Sequence, residues 1–432
     1  PAALRRALVR RVAVRVAAQA ARVARVVAAT AARGAAGDVS AVTRITPPQD
    51  LHPHLLLWKD TMNHPTITRF SAIFLASLAL VACGGGDDGG DSGALTLLFE
   101  NWPEYIDVTD GDVLGTIDRF IAASGVAMSY SEAFNDNLEY FAKIQPLLGT
   151  GKSIEADIIA PTQWMAGRLR KLDWLEKLPL NKIPNSKNLE DAFKLPPSDP
   201  TGEYSLPWQS GIAGIAYNID ATGRELKSIA DLFDPEFKGK IGMLTEMRDT
   251  VGLLLLGLGI NPSDITSFDE AAGAFEQLEK AKSDGQIRSF TGNDYIDDLG
   301  LGNFAACIGW SGDVLQLGID NPSVRFVVPE EGATLWWDTM VVPKGAKNVE
   351  AAAKFMDFVY DPVQAAQLTA YVQYISPVKG VREEVAKIDS ALADNPLLFP
   401  DDETKKRFFP FADLSDEVEM QFEEAFSGII GA

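Results

Sequence analysis

From Leu95 onward, short apolar runs alternate with longer amphipathic segments, and this alternation constrains the fold most strongly. The runs typical of strands are 95–101, 156–162, 211–220, 239–245, 304–310, 324–330 and 339–344, and helical spacing occurs in 112–124, 268–284 and 349–372. Strands that alternate with helices indicate α/β units on mostly parallel sheets, with ligands outside the carboxyl ends of the strands. The sequence lacks GxxxxGK[ST], and no GxGxxG follows a strand, so nucleotide binding is unsupported.

The residues before this region indicate an export signal. Residues 62–83 begin with Met62, contain an apolar run from Phe70 to Ala82, and end in Leu-Val-Ala-Cys at Cys83. The run is shorter than the roughly 20 residues that span a bilayer, which is typical of a signal peptide. The ending resembles a bacterial lipobox and implies lipidation of Cys83, the alternative being an ordinary signal peptide with a chance cysteine. A lipid-anchored, periplasmic or otherwise extracytoplasmic protein is therefore expected.

Two flanking segments are interpreted as lying outside the fold. Residues 84–94 are rich in Gly and Asp and predict a flexible tether between the anchor and the folded body. Residues 1–61 are rich in Ala, Arg and Val and lie upstream of Met62. We interpret residues 1–61 as upstream coding sequence that is not part of the native protein, the alternative being a transit peptide or basic amphipathic helix.

Charge and titratable residues exclude several function classes. Residues 1–83 contain 11 Lys and Arg against three Asp and Glu, so residues 84–432 carry 28 basic and 57 acidic side chains. Such an acidic body disfavours nucleic acid and favours cations. The histidines are His52, His54 and His64, and Cys307 is the single thiol after Cys83. Histidine-based triads, Cys/His zinc sites and histidine general bases are therefore excluded from the body, and no cofactor or metal is expected.

The positions of the tryptophans in the body indicate what kind of ligand it binds. Six of them are predicted at or just beyond strand ends, four with an acid within three positions: Trp102, Trp164, Trp208, Trp310, Trp336 and Trp337. Aromatic faces attract cations, and carboxylates pair with ammonium groups strongly once water is excluded. The combination favours an elongated organic cation as ligand. Any one tryptophan more commonly packs in a core, and Trp174 and Trp337 are interpreted as structural.

The body also resembles a known family over nearly all of residues 95–425. The matching strings occur in order and include NWPEY (101–105), ADIIAPT (156–162), EYSLPWQSGIAGIAYN (203–218), YIDDLGLGNFAACIGWSGDVLQ (295–316) and YISPV (374–378). These strings resemble the substrate-binding proteins of bacterial spermidine/putrescine ABC importers. The resemblance implies a non-enzymatic, monomeric protein that captures a polyamine by lobe closure and delivers it to the importer's permease subunits.

The fold implied by this resemblance is the type II periplasmic-binding-protein fold, an α/β fold of two lobes. Each lobe is expected to be a mostly parallel sheet flanked by helices, with the ligand in the cleft between the lobes. Lobe 1 is predicted to comprise 95–209 and 338–382, and lobe 2 to comprise 210–337 and 383–432.

The resemblance also implies the ligand-binding residues. It implies a slot around the alkyl chain lined by Trp102, Tyr105, Thr162, Trp164, Trp310, Trp336 and Tyr374. It implies Glu246 and Asp249 at one amine and Asp338 at the other. Asp313 matches an acid of the putrescine-preferring branch, which hints at a diamine, although it could instead cap a helix. Two departures concern Pro103, where the family usually has Ser or Thr, and residues 407–418, which contain no clear counterpart of a late family glutamine.

Three alternatives stay open. A glycosidase could use an acid pair such as Asp338 and Asp313, because carboxylate pairs and tryptophan platforms also handle sugars. A binding protein of the same fold could take another solute, such as a metal, thiamine or a sugar. A signalling subunit could bind polyamine and report to a membrane sensor. The sequence does not separate transport from sensing.

Overall fold

Residues 96–431 are described in a computed structural model, within a unit that spans Gly93–Ala432. The predictions for residues 1–61, 62–83 and 84–94, including lipidation of Cys83, lie outside the described residues. Helices within the described part of the chain are too short or too polar to span a bilayer.

A sheet of ten strands forms the centre of the described fold. The strands are β1 (Thr96–Asn101), β2 (Ala127–Glu132), β3 (Ile158–Ile159), β4 (Ser205–Asn218), β5 (Ile241–Leu244), β6 (Ile287–Thr291), β7 (Ala306–Trp310), β8 (Val324–Val327), β9 (Ala333–Val341) and β10 (Phe408–Pro410). Their order is β2-β1-β3-β9-β4-β7-β5-β6, with β10 beside β9 and β8 beside β4. The predicted α/β class is confirmed.

Two parallel groups of strands are joined by two long antiparallel strands. Strands β2, β1 and β3 are parallel to one another, as are β7, β5 and β6. Between the groups, β4 and β9 pair antiparallel in two stretches, Ser205–Pro207 and Ser210–Ala213 on the β4 side, separated by an irregularity. The predicted lobe boundaries at 209/210 and 337/338 therefore fall inside continuous strands that link the two groups.

Helices cover the sheet. They are α1 (Thr116–Ser124), α2 (Asn137–Leu148), α3 (Gln163–Lys171), α4 (Ile219–Thr222), α5 (Met247–Gly257), α6 (Phe268–Ser283), α7 (Tyr295–Gly300), α8 (Ser311–Asp320), α9 (Val349–Val359), α10 (Pro362–Val372), α11 (Val381–Ile388), α12 (Ser390–Ala393), α13 (Asp402–Lys405) and α14 (Asp416–Ile430). Short 3₁₀ helices occupy Leu180–Lys182, Pro184–Asn188, Asp191–Phe193, Ile229–Phe233, Pro235–Phe237 and Pro262–Asp264.

Buried aromatic rings pack on both halves of the sheet, within one hydrophobic cluster. Phe99 of β1 packs edge-on against Trp208 of β4 and contacts Phe355 of α9, with ring centroids 5.4 and 5.7 Å away. On the other side, Phe422 of α14 packs edge-on against Phe275 of α6 at 5.2 Å. These buried rings fix the helices on the sheet, because large aromatic side chains dominate the apolar area removed from water.

Two predicted helical segments are corrected by the structure. Segment 112–124 becomes helical at Thr116, because Val113 exchanges backbone hydrogen bonds with Asp110 and Gly115, the residue before the helix, has an extended backbone. Segment 349–372 is two helices, α9 and α10, because Asp361 caps a new helix that begins at Pro362. Proline at a first helical position is common, since its missing N–H has no intrahelical partner there.

Strand bounds also differ from the prediction. Segment 156–162 contributes two strand residues, and segments 211–220 and 339–344 belong to strands that begin six residues earlier. The expectation that all six tryptophans lie at strand ends is therefore wrong for Trp208, Trp336 and Trp337, which lie inside β4 and β9. The missed first six residues of β4 and of β9 include Pro, Gln, Thr and Asp, so the apolar pattern that predicts a strand did not extend to them.

Candidate functional site

A cavity lies where the ends of several strands and helices meet the long strand β9, and the empty space in it, open solvent at its mouth included, is ≈ 640 Å³. All eleven side chains predicted to bind ligand line this cavity, namely Trp102, Tyr105, Thr162, Trp164, Glu246, Asp249, Trp310, Asp313, Trp336, Asp338 and Tyr374. The structure thus brings residues from positions 102 to 374 around one space.

Alternation along β9 explains why Trp336 and Asp338 line the cavity whereas Trp337 does not. Successive side chains of a strand point to opposite faces, so Trp336 and Asp338 share one face and Trp337 takes the other. Trp336 and Asp338 line the cavity, whereas Trp337 packs edge-on against Phe193 at 5.9 Å. Trp174 stacks on Phe141 at 5.7 Å and is likewise absent from the lining. The structural interpretation of Trp337 and Trp174 agrees with these contacts.

A connected series of aromatic rings forms one wall of the cavity. The ring of Trp310 lies 6.0 Å from that of Trp102 and 6.3 Å from that of Trp336. Trp336 continues the series to Tyr374 at 5.3 Å, and Tyr374 continues it to Tyr105 at 5.2 Å. All four contacts are edge-to-face, so the faces of some rings stay available to a ligand while their edges hold one another in place.

Asp338 is a buried carboxylate in this wall. Its Oδ1 accepts a hydrogen bond of 2.9 Å from the hydroxyl of Thr162, the residue that precedes α3. Burial raises the pKa of Asp338 to about 7, and the charges of Asp249 and Asp313 add to the rise, while hydrogen bonding from Thr162 and Tyr105 opposes it. In the empty cavity, the Asp338 carboxyl group is therefore only partly ionised near neutral pH.

Asp313 is held by neutral donors in the first turn of α8. Its Oδ1 accepts from the Tyr374 hydroxyl at 2.7 Å, and its Oδ2 accepts from the Asn293 amide at 2.8 Å. Burial raises the pKa of Asp313 to about 6 against these hydrogen bonds. The helix is preceded by Trp310 as its cap residue, so Asp313 is not the cap.

Glu246 and Asp249 stand together at the start of α5. Glu246 is the cap residue of this helix, and its Oε2 accepts from the Asn137 amide at 3.0 Å. Asp249 accepts from the Trp310 indole N–H and the Thr334 hydroxyl, each at 2.7 Å. Burial raises the pKa of Glu246 to about 8 and that of Asp249 to about 6. The positive end of the helix dipole favours the ionised form of both groups.

Together these groups make a cavity suited to a cation. Four carboxyl groups line it, and burial raises the pKa of each because an anion loses hydration there. An ammonium group placed between them would restore the favourable environment that water no longer supplies. No group of three or more His, Cys, Asp or Glu side chains within 96–431 is placed to hold a metal ion. Cys307 is buried in β7, and burial raises the pKa of its thiol.

Sequence reasoning missed several residues that line the cavity. They are Asn137, Gln163, Arg248, Asn293, Thr334, Leu335 and Phe411, beside Pro103, which was noted as a departure from the family pattern. Arg248 had a local signal, since it lies between Glu246 and Asp249. Phe411 lies in the segment 407–418 that lacks the expected glutamine. Asn137 and Asn293 had none, because each is a single polar residue in a segment that showed no strand or helix pattern at that position.

Similarity to known proteins agrees with this geometry. The chain is 27% identical over 312 residues to the spermidine/putrescine-binding periplasmic protein of Escherichia coli, covering 72% of this chain and 85% of that protein. It is 29% identical over 335 residues to a putrescine/cadaverine-binding protein of Pseudomonas aeruginosa, covering 74% and 89% respectively. These matches span most of both chains, so the similarity concerns the whole body and not a local motif.

Solved structures show the same fold. PotD, the substrate-binding protein of a spermidine/putrescine ABC transporter from Streptococcus pneumoniae, superimposes with a TM-score of 0.63 at 25% identity, covering 77% of this chain and 98% of that one. The Tp0655 (TpPotD) lipoprotein of Treponema pallidum superimposes with a TM-score of 0.64 at 21% identity, which shows the fold alone. The predicted two-lobed periplasmic-binding-protein fold is confirmed. Residues 115–400 match the family described as bacterial extracellular solute-binding protein, and the chain belongs to that family.

Proposed function

We propose that this protein captures a polyamine, putrescine or spermidine, outside the cytoplasm and presents it to an ABC importer. One observation carries the proposal. Asp338 and Asp313 are buried beside a wall of aromatic rings, and both accept hydrogen bonds from neutral donors. Within residues 96–431, neither forms an ion pair with a Lys or Arg side chain. A flexible dication supplies the two positive charges that these carboxylates lack.

The energetics favour a ligand that is charged at its ends and apolar between them. Burying an ammonium group costs several kcal/mol unless a carboxylate and further hydrogen bonds compensate. We place one amine at Glu246 and Asp249 and the other at Asp338, with Asp313 close by. The methylene chain between them packs on the faces of the aromatic rings, and each face that meets an ammonium adds about 0.5 to 2 kcal/mol.

Ligand binding is proposed to stabilise the closed arrangement of the two lobes. The lobes are taken as 95–209 with 338–382 and 210–337 with 383–432. A ligand that binds the closed form about 10⁴-fold more tightly shifts a two-state equilibrium from mostly open to mostly closed. Such a preference is expected when both lobes supply carboxylates to one ligand. The closed form would then be what the permease subunits of the importer recognise.

Attachment and assembly state are also proposals. The Leu-Val-Ala-Cys string supports a lipid anchor at Cys83, and residues 84–94 would serve as its tether. The protein is proposed to act as a monomer, as its two lobes supply all of the site. Mass spectrometry of the membrane fraction for a lipid-modified Cys83 peptide, and light scattering of the purified protein, test these two points.

Calorimetry tests the proposed function. Putrescine, spermidine and cadaverine are titrated into the purified protein, with neutral amino acids as controls. Polyamine binding with no response to neutral amino acids supports the proposal, and the absence of binding by all three polyamines refutes it. Recovery of chemically unaltered ligand after incubation separates binding from catalysis.

Two variants with a matched control test the site. Asp338→Asn removes a carboxylate and Trp310→Ala removes an aromatic face, so both should weaken polyamine binding. Trp337→Ala changes the neighbour of Asp338 on the opposite face of β9, and the variant should keep its affinity. Unchanged affinity in both Asp338→Asn and Trp310→Ala would contradict the assignment of the cavity.

A further inference from the structure

The chain segment that follows β2 contacts the opposite half of the fold directly. The backbone carbonyl of Asn135 accepts a hydrogen bond of 2.9 Å from the Asn293 N–H, and its Oδ1 accepts one of 3.2 Å from the Asp294 N–H. The Thr245 hydroxyl donates to Oδ2 of Asp136 at 2.6 Å. Asn135 and Asp136 belong to proposed lobe 1, and the other three residues belong to proposed lobe 2. These three hydrogen bonds therefore join the two proposed lobes through protein atoms alone.

The strand order shows how far the chain must fold over for these contacts to form. β2 is the first strand and β6 the last in the order β2-β1-β3-β9-β4-β7-β5-β6. Neighbouring strands lie about 4.8 Å apart, so seven such spacings would put β2 and β6 roughly 34 Å apart in a flat sheet. Asn135 follows the last residue of β2 by three positions, and Asn293 follows the last residue of β6 by two. The two segments meet because the halves of the sheet close over the cavity between them.

Gly292 permits this close approach. A Cβ built on Gly292 would lie 2.3 Å from the carbonyl oxygen of Asn135 and 2.8 Å from its Nδ2. The backbone of Gly292 lies outside the left-handed region, so its own conformation would accept a side chain. The obstacle is the backbone of the other proposed lobe, which cannot rotate aside as the end of a flexible side chain can. A larger residue at position 292 therefore requires the lobes to move apart.

The acceptor groups of lobe 1 are held in place before lobe 2 meets them. Oδ1 of Asp136 accepts from two N–H groups in the first turn of α2, at 2.7 and 3.1 Å, which leaves its Oδ2 for Thr245. Just before Asn135, the N–H of Phe134 bonds to the carbonyl of Asn101 at the end of β1. Groups that are already ordered lose little conformational entropy when a contact forms.

A second set of contacts joins the proposed lobes through helices α3 and α14. Arg168 forms ion pairs with Glu419 and Glu423, and Lys171 forms one with Asp416. The Lys171 pair is exposed, and such pairs contribute little because solvent screens them. Closure thus involves protein contacts at two places, and the loss of one set should weaken closure without unfolding either lobe.

We propose that Asn135, Asp136, Thr245 and Gly292 form a latch that stabilises the closed arrangement independently of the ligand. The inference rests on the lobe closure in the proposed function, and it holds whichever solute the protein captures. All four residues lie outside the set that lines the ligand cavity. The latch therefore acts on the equilibrium between open and closed forms. An apparent dissociation constant equals the intrinsic one divided by the fraction of binding-competent protein, so a weakened latch reduces the affinity for every ligand by one common factor.

Small-angle X-ray scattering of the ligand-free protein tests the latch without any ligand. Gly292→Ala should have a larger radius of gyration than the unaltered protein, because opening the lobes relieves the clash with Asn135. Thr245→Val keeps the size of the side chain and removes the hydroxyl donor, and Asn135→Ala removes the Oδ1 acceptor. Both should shift the radius in the same direction by less. Radii equal to that of the unaltered protein in all three variants would overturn the latch.

Calorimetry tests the common factor. In Gly292→Ala, putrescine, cadaverine and spermidine should each bind at least about tenfold more weakly, with the same ratios among them as in the unaltered protein. Thr245→Val should weaken all three by a smaller but equally common factor. Unchanged affinities in Gly292→Ala would overturn the proposal. Altered ratios would overturn it too, because the effect would then lie in the cavity and not in the latch.

Two control variants match these changes within single lobes. Thr150→Val removes a hydroxyl that donates to backbone carbonyls of α2 within lobe 1. Gly273→Ala adds a Cβ in α6 of lobe 2, 3.4 Å from the Leu258 side chain, which is an ordinary contact. Both should keep the radius and the affinities of the unaltered protein. Effects in the controls as large as those in the latch variants would refute the latch.

The design keeps the two possible failures apart. If no polyamine binds to the unaltered protein, the proposed function fails, and the ligand-free scattering still decides whether the latch exists. If Gly292→Ala does not melt cooperatively, Thr245→Val and Asn135→Ala decide the same question, because neither introduces a clash.

Discussion

Proton release on ligand binding follows directly from the carboxyl groups of the cavity. In the empty site, burial raises the pKa of Glu246 to about 8, of Asp338 to about 7, and of Asp249 and Asp313 to about 6. An ammonium ligand favours the ionised carboxylates and lowers all four pKa values. Protons bound to the empty site must then leave as the ligand enters.

The number of protons can be worked out from these values. At pH 7, Glu246 is about nine-tenths protonated, Asp338 about half, and Asp249 and Asp313 about one-tenth each. If the bound ligand ionises all four groups, roughly 1.6 protons are released per ligand at pH 7 and roughly 0.3 at pH 8.5. Primary ammonium groups such as that of lysine have a pKa of about 10.4, so putrescine stays charged over this range.

Calorimetry in several buffers measures this quantity. The observed binding enthalpy is plotted against the ionisation enthalpy of the buffer, and the slope is the number of protons transferred. We expect release of one to two protons at pH 7, affinity that rises with pH between about 6 and 8, and a smaller slope at pH 8.5. Asp338→Asn should release about half a proton less at pH 7. A slope of zero at pH 7 with normal binding would refute the reasoning, since the carboxylates would already be ionised in the empty site.

Three further outcomes are expected. The ligand-free protein should melt at a lower temperature at pH 8 than at pH 5. The raised pKa values of the four carboxyl groups contribute stability that is complete below the unfolded-state pKa of about 4 and is lost as the pH rises through 6 to 8. A melting temperature that rises with pH would contradict this. Asp338→Asn should raise the ligand-free melting temperature at pH 8, in a thermal melt beside the unaltered protein, although it weakens binding. Gly312→Ala should destabilise the fold by about 1 to 3 kcal/mol in denaturant titrations and weaken binding, because its Cβ would clash with the Tyr374 ring. Gly428→Ala, at an exposed site with nothing within 4 Å, should do neither, and equal loss in both variants would argue against the contact.

The sequence predicted the fold class and the cavity-lining residues for different reasons. Alternation of apolar runs with amphipathic segments predicts an α/β fold because strands and helices have different periods. It does not mark where a central strand begins. The first six residues of β4, Ser205–Ser210, and the first six of β9, Ala333–Asp338, carry Pro, Gln, Trp, Thr and Asp. They lie in strands because β4 and β9 pair on both sides of the irregularity between Pro207 and Ser210.

The eleven site residues were predicted from the resemblance to polyamine-binding proteins. Trp310 and Asp338 also carried a signal of their own, because each belongs to a pair of a tryptophan and an acid close in sequence. Asn137 could not, because its role depends on contacts distant in sequence, with Thr162 and Glu246. Arg248 was not predicted for another reason. The sequence was read for aromatic and acidic side chains that bind a cation, and arginine is itself a cation.

The two long strands in the middle of the sheet give the site an asymmetry. Asp338 and Trp336 lie on β9, whose hydrogen bonds to β4 continue through the centre of the fold. Asp313, Glu246 and Asp249 lie on helices α8 and α5, outside that shared pair of strands. The proposed lobe boundary at 337/338 falls between Trp336 and Asp338, so a ligand that contacts both of these side chains contacts both proposed lobes through neighbouring residues of one strand. Asp313, Glu246 and Asp249 all belong to proposed lobe 2, so in the proposed opening they would move together, away from Asp338.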